Sequence, residues 1–325
     1  MFRKFMRHLW IIAATLLPAF ACAQDYPSKQ IVVVVPFAAG GPTDTLARNL
    51  GATLTTLLKQ QVIIDNAGGA GGTIGINKVA KAKNDGYTLL LMHIGMATAP
   101  ALYRKLPYDT LNDFEYIGQV ADVPMTMLGK KTLPPNNLKE LIPYLKANRE
   151  KLSYGNAGLG AASHLCGLMF MSQNEIDLTT VPYKGTAPAM TDLIGGQIDL
   201  MCDQTTNTTQ QIKSGTVKVY GVTASHRIPS LKDVPTLAEQ GMKGFEVVVW
   251  HGFYAPKGTP KPVIDKLVGA LQAAVQDQGF KSRLAELGAE PVPVAKANPD
   301  ALRTHLKAEV DKWGPVIKKA GQYAD

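Results

Sequence analysis

Hydrophobic residues in this chain fall alternately into short continuous runs and helically spaced stripes, a pattern that predicts alternating strands and helices. The run Ile31–Val35 contains five β-branched residues, which is typical of a strand buried on both faces. Pro36 ends this run, Gly40 and Gly41 loosen the backbone, and leucines then recur at helical spacing over residues 46–58. A strand, a glycine turn and a helix start in this order place free backbone N–H groups at the helix N-terminus. Such a terminus can bind an anion without a cationic side chain.

The same unit recurs at residues 152–170, where LSYGNAGLGAASHLCGLMF reads as a short strand, a glycine-spaced loop and a helix. Ligands of open α/β sheets lie at the carboxyl ends of strands, where such turns occur. Two units so far apart in the sequence therefore predict two α/β lobes that present helix N-termini to one cleft.

The remaining pattern completes an α/β fold in which each lobe is a mixed sheet flanked by helices. We expect strands at 61–65, 88–92, 178–182, 197–202 and 217–223, and helices at 74–83, 187–194, 206–213, 263–275 and 302–313. The last helix is predicted to stop at Gly314-Pro315. Extended apolar runs at 116–128 and 245–253 would cross between the lobes. This interpretation assigns residues 24–127 and 250–325 to lobe 1 and residues 128–249 to lobe 2, joined by a two-crossing hinge.

The N-terminus has the organisation of a secretory signal peptide. Basic residues precede an apolar run at 9–17, and Ala21-Cys22-Ala23 follows as an A-x-A cleavage site. We expect residues 1–23 to be removed near Ala23. A buried N-terminal helix is one alternative, and lipid attachment at Cys22 is another, although Ala19 stands where a lipid-attachment box usually has Leu. Simple cleavage is favoured over both.

Charge and cysteine content narrow the function only slightly. Cleavage would lower the net charge from +8 to +5, because the leader holds three basic residues and no acidic one. No run of Lys and Arg with interleaved aromatic residues suggests nucleic-acid binding. Only Cys166 and Cys202 would remain, and a disulfide and two buried thiols are both compatible with their spacing.

The chain lacks recognisable catalytic motifs. The glycine-rich loop after residue 66 fails the dinucleotide-binding spacing, and neither a phosphate-binding lysine loop nor a G-x-S-x-G motif is present. The six histidines are scattered, so we expect no metal and no cofactor. The alternative function is a secreted hydrolase that uses Ser163 and His164. Adjacent helical residues point in different directions, however, so His164 is poorly placed to act as a base for Ser163.

Several segments resemble the periplasmic solute-binding proteins of tripartite tricarboxylate transporters, the Bug or TctC-like family. These segments are PFAAGGPTDTLAR, NAGGAGGTIG, DGYTLL, YGNAGLGAASHL, VPYKGTAPAMTDLIGGQID and VPTLAEQG. The resemblance implies a monomeric, two-lobed periplasmic binding protein of type II-like fold that closes on a small organic carboxylate. It also implies a membrane permease of one large and one small subunit as partner. Among members, the chain looks most like receptors for aromatic acids such as terephthalate.

The family pattern places one ligand carboxylate between the two glycine loops. It implies ligand contacts from Phe37, Ala38, Ala39, Gly40, Gly158, Ala161, Ala162 and Ser163. For Ser163, the alternative role is that of a helix N-cap. Further candidates for the pocket are Thr43, Asn66, His93, Thr186, Asp203 and Thr205, the last belonging to the polar run QTTNTT after Asp203. Asp44 is expected to stabilise the start of its helix rather than to face an anion.

Overall fold

The computed structural model describes residues 26–320 and 323. Ten strands in this part of the chain form one mixed β-sheet. The predicted signal peptide 1–23 and its cleavage site near Ala23 lie outside the described residues. The strands are β1 (Ile31–Val35), β2 (Val62–Asn66), β3 (Thr88–His93), β4 (Phe114–Lys130), β5 (Ser153–Asn156), β6 (Thr179–Pro182), β7 (Leu200–Gln204), β8 (Val217–Val222), β9 (Val248–Pro256) and β10 (Glu290–Pro291).

Helices flank the sheet, as the alternating pattern predicts. They are α1 (Pro42–Leu58), α2 (Thr73–Ala80), α3 (Gly95–Leu102), α4 (Leu138–Asn148), α5 (Ala162–Asn174), α6 (Thr186–Ile194), α7 (Thr205–Lys213), α8 (Lys261–Gln276), α9 (Gln278–Glu286) and α10 (Pro299–Ala320). Among the described residues, no helix is both long enough and apolar enough to cross a membrane.

The long strand β4 connects the two lobes. Its residues from Phe114 to Pro124 pair with β9, whereas those from Met125 onward pair with β7 and β8. Strand order β2-β1-β3-β9-β4-β7-β5-β6 thus places the first lobe at one end of the sheet and the second at the other. This change of partner strands, between Pro124 and Met125, comes three residues before the lobe boundary predicted after residue 127. The two-lobed α/β fold is confirmed, and β4 and β9 run side by side at the crossing.

Strand β1 and helix α1 form as the sequence pattern predicts. Parallel neighbours β2 and β3 hold β1 on both edges, and four of its five side chains are buried. The leucines of α1 at positions 46, 50, 54 and 58 are buried as well. Because both apolar surfaces are covered, the loop between them is held at the carboxyl edge of the sheet.

The predicted end of the last helix at Gly314-Pro315 is wrong. Helix α10 continues to Ala320 with Pro315 inside it. A proline removes one backbone hydrogen bond, here to the carbonyl of exposed Asp311, which water can solvate. Trp313 and Ile317, on either side of the proline, are buried and hold both turns in place. Packing therefore outweighs the helix-breaking tendency.

Cys166 and Cys202 form a disulfide that joins α5 to β7, with their Cα atoms 6.1 Å apart. This settles the alternative that the sequence left open. Both residues lie in the second lobe, close in sequence to Ser163 and Asp203. The crosslink therefore fixes the helix that begins with the second glycine loop to the strand that precedes α7.

Candidate functional site

Four helix N-termini meet at one small cavity between the lobes. The cavity lies where α1, α5, α6 and α7 begin, with β3 contributing one wall. Its lining residues are Phe37, Pro42, Thr43, His93, Ala157, Ala161, Ala162, Ser163, Thr186, Asp203 and Gln204. No Lys or Arg is among them. Any positive potential in this cavity must therefore come from backbone dipoles and neutral donors.

The carboxylate of Asp44 holds the first glycine loop in place through hydrogen bonds. Its carboxylate accepts hydrogen bonds from the Gly40 N–H at 2.8 Å, from Arg48 at 2.8 Å and from Asn66 Nδ2 at 3.0 Å. Burial alone would raise the pKa of Asp44, but the hydrogen bonds from Arg48 and Gly40 outweigh burial and lower it. Asn66 Nδ2 also donates to the Phe37 carbonyl. Asp44 and Asn66 thus brace the loop.

Several predicted ligand contacts lie outside this cavity. The N–H groups of Ala38 and Gly40 are hydrogen-bonded to Lys184 and Asp44, and Ala39 is exposed. The Thr205 hydroxyl donates to the Gly288 carbonyl at 2.9 Å. Two more of the residues predicted to contact the ligand do not line the cavity. Asn66 makes the hydrogen bonds to Asp44 and Phe37 described above, and the Gly158 N–H donates to Asn156.

The second glycine loop delivers unpaired donors to the cavity. Ala161 is the N-cap residue of α5, so the N–H groups of Ala162 and Ser163 belong to its first turn. Neither N–H makes a backbone hydrogen bond among the described residues. Ser163 Oγ accepts the Ala157 N–H at 2.9 Å, which leaves its hydroxyl hydrogen to donate elsewhere. Ser163 is therefore not the N-cap, and its side chain lies at the cavity.

His93 and Phe37 form an aromatic wall. Their rings stack with centroids 4.8 Å apart, and His251 lies edge-on to His93 at 5.8 Å. His93 Nδ1 accepts the Gly95 N–H at 3.0 Å, which assigns the ring hydrogen to Nε2. Burial lowers the pKa of His93 to about 3, so the ring is a neutral donor at physiological pH. Trp250, a tryptophan of β9, does not line the cavity, and its indole N–H donates to Glu309.

Buried polar side-chain atoms occupy another part of the cavity. Thr186 Oγ1, Asp203 Oδ1 and Gln204 Oε1 are buried, and by distance and angle none makes a hydrogen bond to a described residue. Asp203 Oδ2 accepts from Asn207 Nδ2 at 2.6 Å. Burial raises the pKa of Asp203 to about 6, opposed by hydrogen bonds from Asn207 and the Gln204 backbone and by the nearby Thr186 hydroxyl. Most Asp203 carboxyls are therefore ionised at neutral pH.

The residues of the alternative enzyme do not form a nucleophile–base pair. His164 Nδ1 accepts the Gly160 N–H at 3.3 Å, while Ser163 Oγ accepts the N–H of Ala157. Within residues 26–320 and 323, no hydrogen bond joins these two side chains. In the same part of the chain, no three His, Cys, Asp or Glu side chains are grouped as a metal ion would require.

Three lining residues were not singled out from the sequence: Pro42, Ala157 and Gln204. Gln204 belongs to the polar run that the sequence marked, but it precedes α7 as its N-cap residue, and no local motif distinguishes it from its neighbours. Pro42 begins α1, a position that suits proline because no N–H is needed there. Ala157 directly follows β5, so it lies at the carboxyl end of a strand.

Known proteins resemble this chain over most of its length. A UPF0065 protein of Agrobacterium vitis is 49% identical over 313 residues, 96% of this chain and 90% of its own length. The periplasmic binding protein BugD has 55% identity and a TM-score of 0.90, covering 92% of this chain and 100% of its own.

Two further solved structures contain ligands. MatC from Rhodopseudomonas palustris, with bound malate, has 38% identity and a TM-score of 0.86, over 90% of this chain and 100% of its own. A second R. palustris protein, with adipate, has 35% identity and a TM-score of 0.87, over 91% and 99%. The model of the tripartite tricarboxylate transporter family receptors, TctC, matches residues 46–322. The chain therefore belongs to the TctC family of solute-binding receptors.

Proposed function

We propose that this protein is a periplasmic receptor that captures a small organic carboxylate between its lobes and delivers it to a tripartite tricarboxylate transporter permease. The observation that carries the proposal is the convergence of four helix N-termini on one buried cavity with no cationic side chain. Helix N-termini favour anions through their free N–H groups and their dipoles. Family membership supports the same function.

One carboxylate would be held at the start of α5. The first-turn N–H groups of Ala162 and Ser163 and the Ser163 hydroxyl provide neutral donors at one side of the cavity. Thr43, at the start of α1, and His93 Nε2 approach the same space from the first lobe. A ligand that contacts both sides binds the closed state better than the open one, and this differential affinity drives closure.

The ligands of two similar proteins favour a short acid. The stacked rings of Phe37 and His93 wall part of the cavity. Relatives with malate and adipate bind aliphatic acids of four and six carbons. We therefore favour a C4–C6 aliphatic carboxylate, and terephthalate remains in the test panel because of the sequence resemblance to receptors of aromatic acids.

Export and partners follow from the family and the N-terminal sequence. The leader at residues 1–23 would direct the chain to the periplasm, and cleavage near Ala23 would release it as a monomer. The permease, of one large and one small subunit, would then recognise the closed receptor. Intact-mass measurement of the exported protein checks the leader, since a lipidated Cys22 would give a distinct mass.

A thermal-shift screen tests the proposal. Aliphatic and aromatic mono-, di- and tricarboxylates, terephthalate included, are each added to the mature protein. A ligand at about 100 times its dissociation constant stabilises the folded state by about 2.7 kcal/mol. We expect at least one acid to give such a shift, with no turnover and no loss on adding a chelator. A flat response to every acid would refute the carboxylate-receptor proposal.

A further inference from the structure

Asp203 presents a buried acceptor to the cavity. The residue is 1% exposed, and by distance and angle Oδ1 accepts no hydrogen bond from a described residue, whereas Oδ2 accepts one from Asn207. Gln204 Oε1, next along the chain, is buried and unpaired as well. Buried polar atoms in folded proteins nearly always have a partner, so two unpaired acceptors on one cavity call for a ligand that donates.

An unsubstituted diacid does not meet this requirement. At neutral pH both of its carboxylates are ionised, so it offers only acceptors. Donors for a carboxylate are present at the start of α5 and at His93, but the cavity has no Lys or Arg to offset the charge of Asp203. The Thr186 hydroxyl lies near the carboxyl of Asp203, and a hydrogen bond from it helps to lower the pKa of Asp203. A plain diacid brings no further donor to this buried carboxylate.

We infer that Asp203, together with Gln204, selects carboxylates that carry a hydroxyl or ammonium group over unsubstituted diacids of the same length. The donor of the ligand pairs with Asp203 Oδ1 while a ligand carboxylate pairs with the N-terminus of α5. Asp203 is thus a specificity-determining residue. This inference rests on the proposed function and names the ligand class of the same site.

Matched ligands isolate the donor group. Succinate, malate and aspartate share a four-carbon diacid skeleton and differ only in the substituent, and glutarate, 2-hydroxyglutarate and glutamate repeat the series with five carbons. Isothermal titration of the mature protein at pH 7.5 gives each dissociation constant. A hydrogen bond to a charged group changes affinity roughly 10- to 100-fold. We expect the best donor-bearing acid to bind at least tenfold more tightly than the unsubstituted acid of its series.

Asp203→Asn tests the residue directly. Asparagine keeps the shape, but its amide offers both a donor and an acceptor, so the preference should fall to within about threefold, chiefly through weaker binding of the donor-bearing acids. The matched control is Asp199→Asn, which removes a carboxylate paired with Lys130 just before β7, away from the cavity. That variant should keep the wild-type preference.

Three results would overturn the inference: equal affinity for succinate and malate in the wild type, an unchanged preference in Asp203→Asn, or no binding of any acid in either series. The first two leave the carboxylate receptor intact. In the third case, a stabilising acid elsewhere in the thermal-shift panel would still support the receptor function. Failure of the selectivity and failure of the function are therefore distinguishable.

Discussion

The backbone N–H of Ala38 donates a hydrogen bond to the carbonyl oxygen of Lys184 at 3.0 Å, joining the first glycine loop to a loop of the opposite lobe. Thr98 Oγ1 donates across the same cleft to the Gly160 carbonyl at 2.8 Å. The Tyr103 hydroxyl donates to the Leu159 carbonyl at 3.3 Å. These contacts define a closed conformation, in which backbone groups of the two lobes touch directly.

Gly68→Ala should weaken ligand binding by preventing this closure. A Cβ at position 68 would lie 2.7 Å from the Lys184 carbonyl oxygen and 3.3 Å from the Ala38 nitrogen. The backbone of Gly68 is not in the left-handed region, and the contact with the Ala38 nitrogen, within the same lobe, needs a shift of only a few tenths of an ångström. We expect at least tenfold weaker binding by titration. Small-angle scattering at wild-type saturating ligand should show a radius of gyration larger than that of the wild type.

The matched control is Gly269→Ala, in the middle of α8, where a Cβ meets no atom within 4 Å. Replacing an exposed helical glycine with alanine stabilises by up to about 1 kcal/mol, and ligand affinity should not change. If Gly68→Ala closes and binds as the wild type does, direct contact between the lobes is not required for binding.

Ser163→Ala should lower affinity roughly 10- to 100-fold, because one hydrogen bond to a charged ligand group is lost. The Ala157 N–H also loses its acceptor, so the free energy of unfolding should fall by about 1 kcal/mol. Ser172→Ala, at an exposed position of the same helix, is the control for both measurements. Affinity within twofold of the wild type would remove Ser163 from the binding site.

The two glycine loops were predictable because their determinants are local. In the first unit a buried β-branched run, a glycine turn and a leucine stripe lie within residues 31–58 and place the start of α1. In the second unit a short strand and a glycine-spaced loop place the start of α5. Helix α3 was missed because its sequence, GMATAPAL, is small and apolar on all sides and contains Pro100. Periodicity carries no information for such a segment, and burial against α10 decides its structure.

The finer features of the site depend on contacts between distant positions. Asn66 was expected as a possible donor to the ligand, but it braces Asp44 and the Phe37 carbonyl. The Ala38 N–H was expected to face the ligand, but Lys184, far along the chain, accepts it. Local sequence shows that a donor is present. Only the folded chain shows which acceptor it meets.

Breaking the disulfide should destabilise the protein without abolishing binding. Cys166 and Cys202 are 36 positions apart, and a loop of that length corresponds to about 4 kcal/mol of stabilisation by the chain-entropy model. Neither cysteine lines the cavity. We expect the double substitution to serine to lower the urea midpoint while keeping ligand affinity within a few-fold at low temperature. An unchanged midpoint would contradict this expectation.

Asp203→Asn should stabilise the protein itself at neutral pH, measured with no carboxylate added. Burial raises the pKa of Asp203 to about 6 in the folded state, against the ordinary value of 3.8 for an aspartate side chain. The folded state therefore binds the proton more tightly than the unfolded state does. Ionised Asp203 destabilises the fold by about 3 kcal/mol above pH 6, and this penalty disappears as the pH falls through 6 towards 3.8.

The measurement is the difference in unfolding free energy between Asp203→Asn and the wild type, from urea titrations at pH 4, 5, 6 and 7.5. Other carboxylates contribute equally to both proteins and cancel. Two buried neighbours, Tyr154 and His93, do not titrate in this range, because burial raises the pKa of Tyr154 and lowers the pKa of His93. We expect the variant to be the more stable protein at pH 7.5, with the difference shrinking towards zero near pH 4. A difference that is independent of pH, or a variant less stable at pH 7.5, would mean that the folded protein solvates this carboxylate. The ligand would then not need to supply a hydrogen-bond donor to Asp203 Oδ1.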